Sequence, residues 1–161
     1  MKNILHTSNI KSLKKIYQGK VRDIYEVDAN NILMVSTDRV SVFDTILPTP
    51  IPEKGIILNK VSNFWFKKFS TIVDNHLSGI NINNLKITDD EYNELENRSV
   101  IVKKLNALPI EAIVRNYLIG SGYSDYLSKG SICNIPLPEN LKMASKLPDV
   151  IFTPSSKAEI G

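Results

Sequence analysis

Four charged side chains interrupt an otherwise apolar stretch of the sequence, residues 100–122. They are Lys103, Lys104, Glu111 and Arg115, and a Gly-Ser-Gly sequence follows the last of them. A charge in such a stretch is costly unless it faces solvent, a cleft or a partner. Glycines let backbone N–H groups come close to an anion. Any one of these charges could lie on the solvent face of a half-buried strand, but the four together favour a binding cleft.

The sequence Gly-Lys-Val-Arg-Asp at residues 19–23 is a second candidate. β-branched and aromatic residues lie on both sides of it, which predicts two strands joined at Gly19. A glycine at a hairpin tip lets the backbone approach a polyphosphate, and Lys20 and Arg22 are expected on one face of a strand. A solvated basic hairpin is the alternative. These residues alone favour it, because one glycine falls short of a Gly-rich phosphate loop.

A polar loop, residues 36–44, precedes three prolines at alternate positions, Pro48, Pro50 and Pro52. The prolines exclude a helix or a central strand and hold this part of the chain extended. Rigid polar segments often carry ligand contacts. Asp44 is the carboxylate that we single out here, and an Asx turn or a helix cap is its alternative role.

The spacing of the apolar residues predicts the elements that position these side chains. We expect an antiparallel meander over residues 15–36, an amphipathic helix over 55–69 and a short helix from a capping box at Thr88 and Glu91. Further strands are predicted over 100–102 and 110–114, and a short helix over 123–127. The buried face of the long helix is expected to consist of Leu58, Val61, Trp65 and Phe69.

Composition restricts the class of protein. The 20 basic and 17 acidic residues leave a net charge of +3, too small to indicate nucleic-acid binding by itself. No segment approaches the length of a membrane span, and a single cysteine, Cys133, suits a reducing compartment. We expect a cytoplasmic protein that binds neither membrane nor nucleic acid. A basic module for RNA is an alternative, although it lacks the interleaved aromatic residues that stack on bases.

Five segments of the sequence, in this order, resemble the SAICAR synthetase family. They are residues 19–25, 37–44, 54–59, 114–122 and 152–159. The resemblance implies an α+β fold, in which an antiparallel β-sheet lobe with a packed helix occupies residues 1–102. A connecting segment and the start of a second, ATP-grasp-like lobe would follow over residues 103–161. Family members continue beyond this length, so we expect the N-terminal part of such a ligase, inactive on its own.

The resemblance implies an activity in de novo purine biosynthesis. Members ligate carboxyaminoimidazole ribonucleotide (CAIR) with L-aspartate to give SAICAR, ADP and phosphate. ATP phosphorylates the imidazole carboxylate, the amine of aspartate displaces the phosphate, and magnesium bridges the anions. A catalytically incomplete nucleotide- or ribotide-binding module is the alternative, and homo-oligomerisation stays open.

The resemblance also assigns residues to ATP. Lys20, Val21 and Arg22 would form the phosphate-binding hairpin. Lys104 and Leu105 would form the connection between lobes that edges the adenine.

A second set is assigned to the substrate and the metal. The phosphate of the ribotide would be held by Arg115, Ser121 and Lys157. Ser41 and Asp44 would contact the substrate, and Asp44 and Glu111 would be the catalytic carboxylates near the imidazole. Glu111 would also bind magnesium. Val42 stands where alanine is common in the family, a conservative difference.

Overall fold

The computed structural model describes residues 4–156, and the chain forms two compact units. The first unit ends at Asn106 and the second begins at Ala107, close to the predicted boundary after Val102. None of the helices in residues 4–156 has both the length and the apolar character that crossing a membrane requires.

A four-stranded antiparallel sheet forms the centre of the first unit. Its strands, in spatial order, are β1 (Lys14–Gln18), β2 (Arg22–Glu26), β3 (Asn31–Ser36) and β6 (Ser99–Lys103). Tyr25 pairs with Leu33, which pairs with Ile101, and each is at most 1% exposed. Side chains alternate between the faces of a strand, so these positions define the core face. The predicted meander is confirmed.

The first unit also contains one short β-hairpin and several helices. β4 (Ser41–Val42) and β5 (Thr45–Ile46) form the hairpin, the α-helices are α1 (Lys54–Lys68) and α2 (Asp89–Leu95), and a 3-10 helix spans Ile82–Asn84. The predicted capping box is confirmed: the Thr88 hydroxyl accepts from the N–H of Glu91, whose carboxylate accepts from the N–H of Thr88. Leu95 of α2 is fully buried in the core.

The prediction for the buried face of α1 is wrong, because the residues expected on that face are exposed. Exposed fractions of 42–51% are found at Leu58, Val61, Trp65 and Phe69. The buried positions of α1 are Gly55 and Asn59. A Cβ on Gly55 would lie 2.2 Å from the carbonyl oxygen of Ser36, so only glycine allows this approach. Asn59 donates from Nδ2 to the carbonyls of Asn97 and Ser99. The buried face of α1 is therefore defined by a glycine and a hydrogen-bonded asparagine. The spacing of apolar residues cannot predict such a face.

The second unit consists of three antiparallel strand pairs and one helix. The pairs are β7 (Ile110–Glu111) with β12 (Ser155–Ser156), β8 (Val114–Tyr117) with β11 (Lys146–Phe152), and β9 (Ser131–Ile132) with β10 (Ile135–Pro136). The helix is α3 (Gly120–Lys129), which ends at Gly130 with a φ of 65°. The core of this unit is formed by Leu118, Tyr126, Ile132, Leu147 and Ile151.

Two predictions for the second unit need correction. The strand expected over 110–114 is divided between β7 and β8, and the N–H of Thr153 donates to the carbonyl of Ile113 between them. The predicted Gly-Ser-Gly turn is instead the first turn of α3. The helix is longer than expected because tertiary packing of Gly122 and Tyr126 overrides the low helix propensity of the glycines.

Candidate functional site

Gly19 and Lys20 lie in the turn between β1 and β2. The N–H of Gly19 donates to the carbonyl of Arg22 at 2.7 Å, which closes the turn. The prediction that Lys20 and Arg22 share a strand face is wrong, because β2 begins only at Arg22. Lys20 instead forms an ion pair with Asp44, and both side chains are about half exposed.

The β4–β5 hairpin carries Asp44 and Ser41. Asp44 lies at the tip with a φ of 64°, and the half-buried Ser41 pairs with Ile46. The structure therefore brings Asp44, which was assigned to the substrate, next to Lys20, which was assigned to ATP.

A cavity of about 380 Å³ opens beside this turn. Val21 and Arg22 line it, together with Lys54 of α1 and His76. Burial lowers the pKa of Lys54, and the positive charge of Arg22 lowers it further while Asp38 opposes the change. Burial and then Arg22 also lower the pKa of His76. The charge of Arg22 therefore acts on both groups, and the cationic side chains of Arg22 and Lys54 suit an anion.

An apolar groove of about 740 Å³ adjoins this cavity, since Phe66 and His76 line both. Leu105 lines the groove, whose other walls include Trp65 and Phe69. Lys104 is exposed, and its N–H donates to the carbonyl of Asn30 at 2.7 Å. Three of the five residues assigned to ATP thus line two adjoining cavities of the first unit.

Sequence reasoning missed two buried ion pairs. Arg39 contacts Asp23 at 2.8 Å and Arg98 contacts Asp38 at 3.2 Å. Burial alone would raise the pKa of Asp23, but hydrogen bonds from Arg39 and Ser8 outweigh it, so the pKa lies below its usual range. One signal was available: Asp23 and Tyr25 share the inward face of a strand, and an inward carboxylate needs a partner.

Arg115 and Ser121 lie together in the second unit, as predicted. The guanidinium of Arg115 donates from Nη2 to the Ser121 hydroxyl at 3.2 Å and from Nε to the Thr153 hydroxyl at 3.0 Å. A Cβ on Gly122 would lie 3.2 Å from Cζ of Arg115, so the glycine leaves room for this position. Lys157, the third predicted member, lies outside the described residues.

The electrostatics of this cluster favour an anion. α3 begins after Ile119, which provides no side-chain cap, so its first N–H groups carry the positive end of the helix dipole. Arg115 also donates to the carbonyl of Ile119 at 3.3 Å, so a second positive charge lies at the helix end. A guanidinium and a helix N-terminus together suit a phosphate group.

Glu111 is exposed in β7 and pairs with Ser155 of β12. It offers one carboxylate to a metal, and oxygen ligands are the type that Mg²⁺ prefers. Across residues 4–156, however, no three or more His, Cys, Asp or Glu side chains lie close enough together to hold a metal ion.

Comparison with known proteins gives a consistent set of relatives. A family model described as SAICAR synthetase matches residues 15–161. The phosphoribosylaminoimidazole-succinocarboxamide synthase of Methylobacillus flagellatus is 55% identical over 158 residues, which are 98% of this chain and 53% of the relative. The corresponding protein of an Azoarcus species is 54% identical over 157 residues, which are 98% of this chain and 50% of the relative.

The fold agrees with these relatives. The structure of SAICAR synthase from Saccharomyces cerevisiae, complexed with SAICAR, matches with a TM-score of 0.84 and 42% identity, over 98% of this chain and 55% of that one. The two folds share mixed α/β structure with antiparallel sheets. The chain spans about half the length of the curated relatives it matches. On the family match and these identities, the chain belongs to the SAICAR synthetase family.

Proposed function

We propose that this chain supplies the ATP-binding and ribotide-binding parts of a cytoplasmic ligase of purine biosynthesis. The ligase joins CAIR to L-aspartate with ATP and releases SAICAR, ADP and phosphate. Family membership supports this proposal, as does the similarity to a yeast protein complexed with SAICAR. In this proposal residues 107–161 begin the ATP-grasp-like lobe.

The adjoining cavities of the first unit are the observation that carries the ATP assignment. One end contains Arg22 and Lys54, whose charges would bind the phosphates. The other end is apolar and contains Trp65, Phe69 and Leu105, which suits the flat, apolar faces of adenine. A site with an apolar end and a cationic end matches the two chemically different ends of ATP.

The Arg115 cluster supports the ribotide assignment. The planar guanidinium can bind two phosphate oxygens at once, and its bond to Ser121 brings a hydroxyl to the same ligand. The N-terminus of α3 adds backbone donors. Lys157 would add a further charge.

The Lys20–Asp44 pair suits the phosphoryl-transfer step. The imidazole carboxylate of CAIR attacks the γ-phosphorus of ATP, and ADP leaves. The amine of aspartate then attacks the acyl carbon and phosphate leaves. Lys20 would stabilise negative charge on the transferred group. Asp44, with Ser41 in the same hairpin, would lie at the carboxylate end of the ribotide.

Magnesium would neutralise phosphate charge when bound. Glu111 is proposed as one of its ligands, and the phosphates of ATP would supply further oxygen ligands. The chain spans about half the length of its curated relatives, which favours a second candidate function, a nucleotide- and ribotide-binding module that does not turn over by itself.

The ATP assignment is tested by Arg22→Gln. Loss of a charge-assisted contact to phosphate costs roughly 1.5–3 kcal/mol, so ATP affinity should fall about 10- to 150-fold. Ribotide affinity should stay unchanged, because the ribotide cluster lies on other residues. Lys14→Gln is the control, since Lys14 is an exposed residue of β1 that pairs with Glu26. Calorimetry that shows equal losses for both ligands, or none for ATP, would overturn the assignment.

A further inference from the structure

A buried arginine is bonded to the turn that carries Lys20. The side chain of Arg39 is 1% exposed. Its Nε donates to the carbonyl of Lys20 at 2.9 Å, and its Nη2 donates to the carbonyl of Gly19 at 2.8 Å. Its Nη1 donates to the carbonyl of His6. One guanidinium therefore binds two consecutive carbonyls of the turn.

These contacts fix the direction of two N–H groups. A trans peptide is planar, and its C=O and N–H point in opposite directions. The carbonyl of Gly19 shares a peptide with the N–H of Lys20, and that of Lys20 shares one with the N–H of Val21. Because both carbonyls point to Arg39, both N–H groups point away from it. Within the described chain, neither N–H donates to a protein acceptor.

Thr37 extends the same arrangement by one residue. Its N–H and its hydroxyl both donate to the carbonyl of Val21, at 3.1 Å and 2.9 Å. Three consecutive carbonyls are thus held inward. Consecutive N–H groups that converge on one side of a backbone form a concavity that binds anions.

The charge of Arg39 is balanced locally, so its effect on the turn is geometric. Asp23 accepts from Nη2 at 2.8 Å and also accepts from the N–H and hydroxyl of Ser8. Among the described residues, no buried side-chain N or O atom lacks a hydrogen-bond partner. Lysine would keep the charge but has no planar fork to bind two carbonyls and a carboxylate together.

We propose that Arg39 is a positioning residue for phosphate binding. It holds the carbonyls of Gly19 and Lys20 inward, so that the N–H groups of Lys20 and Val21 are presented to a phosphate oxyanion. The proposal rests on the proposed function, in which this turn binds the phosphates of ATP. Arg39 itself does not touch the ligand.

The first test uses the unmodified chain labelled with ¹⁵N and titrated with ATP and, separately, with inorganic tripolyphosphate. The amide signals of Lys20 and Val21 should move downfield more than those of the flanking strands β1 and β2. Both ligands should cause this change, because the phosphate chain is what the two share.

The second test compares two buried arginines. Arg39→Lys should weaken ATP binding roughly tenfold while ribotide affinity is unchanged. Arg98→Lys is the matched control: Arg98 is also buried and paired with a buried aspartate, but its bond goes to Asp38 and not to the turn. It should lower the melting temperature similarly and leave ATP affinity unchanged.

The outcomes separate the two claims. If the unmodified chain binds neither ATP nor tripolyphosphate, the ATP assignment itself fails. If it binds both but the signals of Lys20 and Val21 do not move, the positioning role is wrong and the ATP site stands. If Arg39→Lys folds and binds ATP as tightly as the unmodified chain does, the positioning role is also wrong and the ATP site stands. If Arg39→Lys does not fold, the amide shifts of the unmodified chain decide.

Discussion

The ammonium group of Lys20 donates to the carboxylate of Asp44, although the two residues lie 24 positions apart in the sequence. The side chains are 52% and 50% exposed, and ion pairs with this exposure contribute at most about 1 kcal/mol. A phosphate group can therefore replace Asp44 as the partner of Lys20. When no nucleotide is present, the pair holds the ammonium group of Lys20 at the tip of the β4–β5 hairpin.

The first prediction follows from this exchange. Asp44→Asn should bind ATP more tightly, by up to about fivefold, when EDTA excludes metal ions, because Lys20 no longer has a competing partner. Glu26→Gln is the control, since it removes an exposed ion pair with Lys14 that is away from the turn. Calorimetry that shows unchanged or weaker ATP binding for Asp44→Asn would mean that the pair does not compete with phosphate.

The second prediction concerns the ribotide cluster. Arg115→Lys keeps a positive charge but loses the planar fork that reaches Ser121 and Thr153. Ribotide affinity should fall roughly tenfold, with ATP affinity unchanged. Lys146→Ala, an exposed change in the neighbouring strand β11, should alter neither. A loss of ATP binding in Arg115→Lys would contradict the separation of the two sites.

The third prediction concerns stability in acid. Glu91 accepts hydrogen bonds from Ser12, Thr88 and Lys11, which lower its pKa from 4.5 to about 2. A carboxylate whose pKa is lower in the folded state stabilises the fold above its unfolded pKa, and this contribution is lost as the pH falls through the folded value. The free energy of unfolding in urea should therefore fall between pH 6 and pH 2, and Glu91→Gln should lose less over that interval.

Glu139→Gln, a change in an exposed loop residue, is the control for this experiment. It should show the same decrease as the unmodified chain. If Glu91→Gln shows the full decrease as well, the bonds between Glu91 and the segment at Ser12 do not contribute to stability in solution.

The fourth prediction concerns turnover. Because the chain spans about half the length of its curated relatives, we expect the 161-residue chain to release no ADP above background with ATP, CAIR, L-aspartate and magnesium. A coupled assay for ADP measures this directly. Turnover on the order of 1–10 per second would show that these 161 residues are sufficient for catalysis.

Local signals account for the features that the sequence predicted correctly. Thr88 and Glu91 lie three positions apart and each accepts a hydrogen bond from the backbone of the other, so residues 88–91 are enough to predict the start of α2. The strands on either side of Gly19 follow from their β-branched residues.

The features that were missed depend on contacts between distant residues. Arg39 reaches Asp23, 16 positions away, and Arg98 reaches Asp38, 60 positions away. Gly55 is buried because the end of β3 lies against it, which the amphipathic pattern of α1 does not indicate. Asp38 and Arg39 lie in the segment that the sequence presents as a polar loop, and their buried ion pairs with Arg98 and Asp23 were missed for the same reason.

In the proposed function the chain has two separate phosphate sites, one at the Gly19–Lys20 turn and one at Arg115. The most direct measurement is a calorimetric titration of CAIR into the chain saturated with ATP, in EDTA so that no phosphoryl transfer occurs. We expect one CAIR to bind per chain, with nearly the affinity that it has for the ATP-free chain. Displacement of ATP by CAIR would contradict it, because the two ligands would then share a single site.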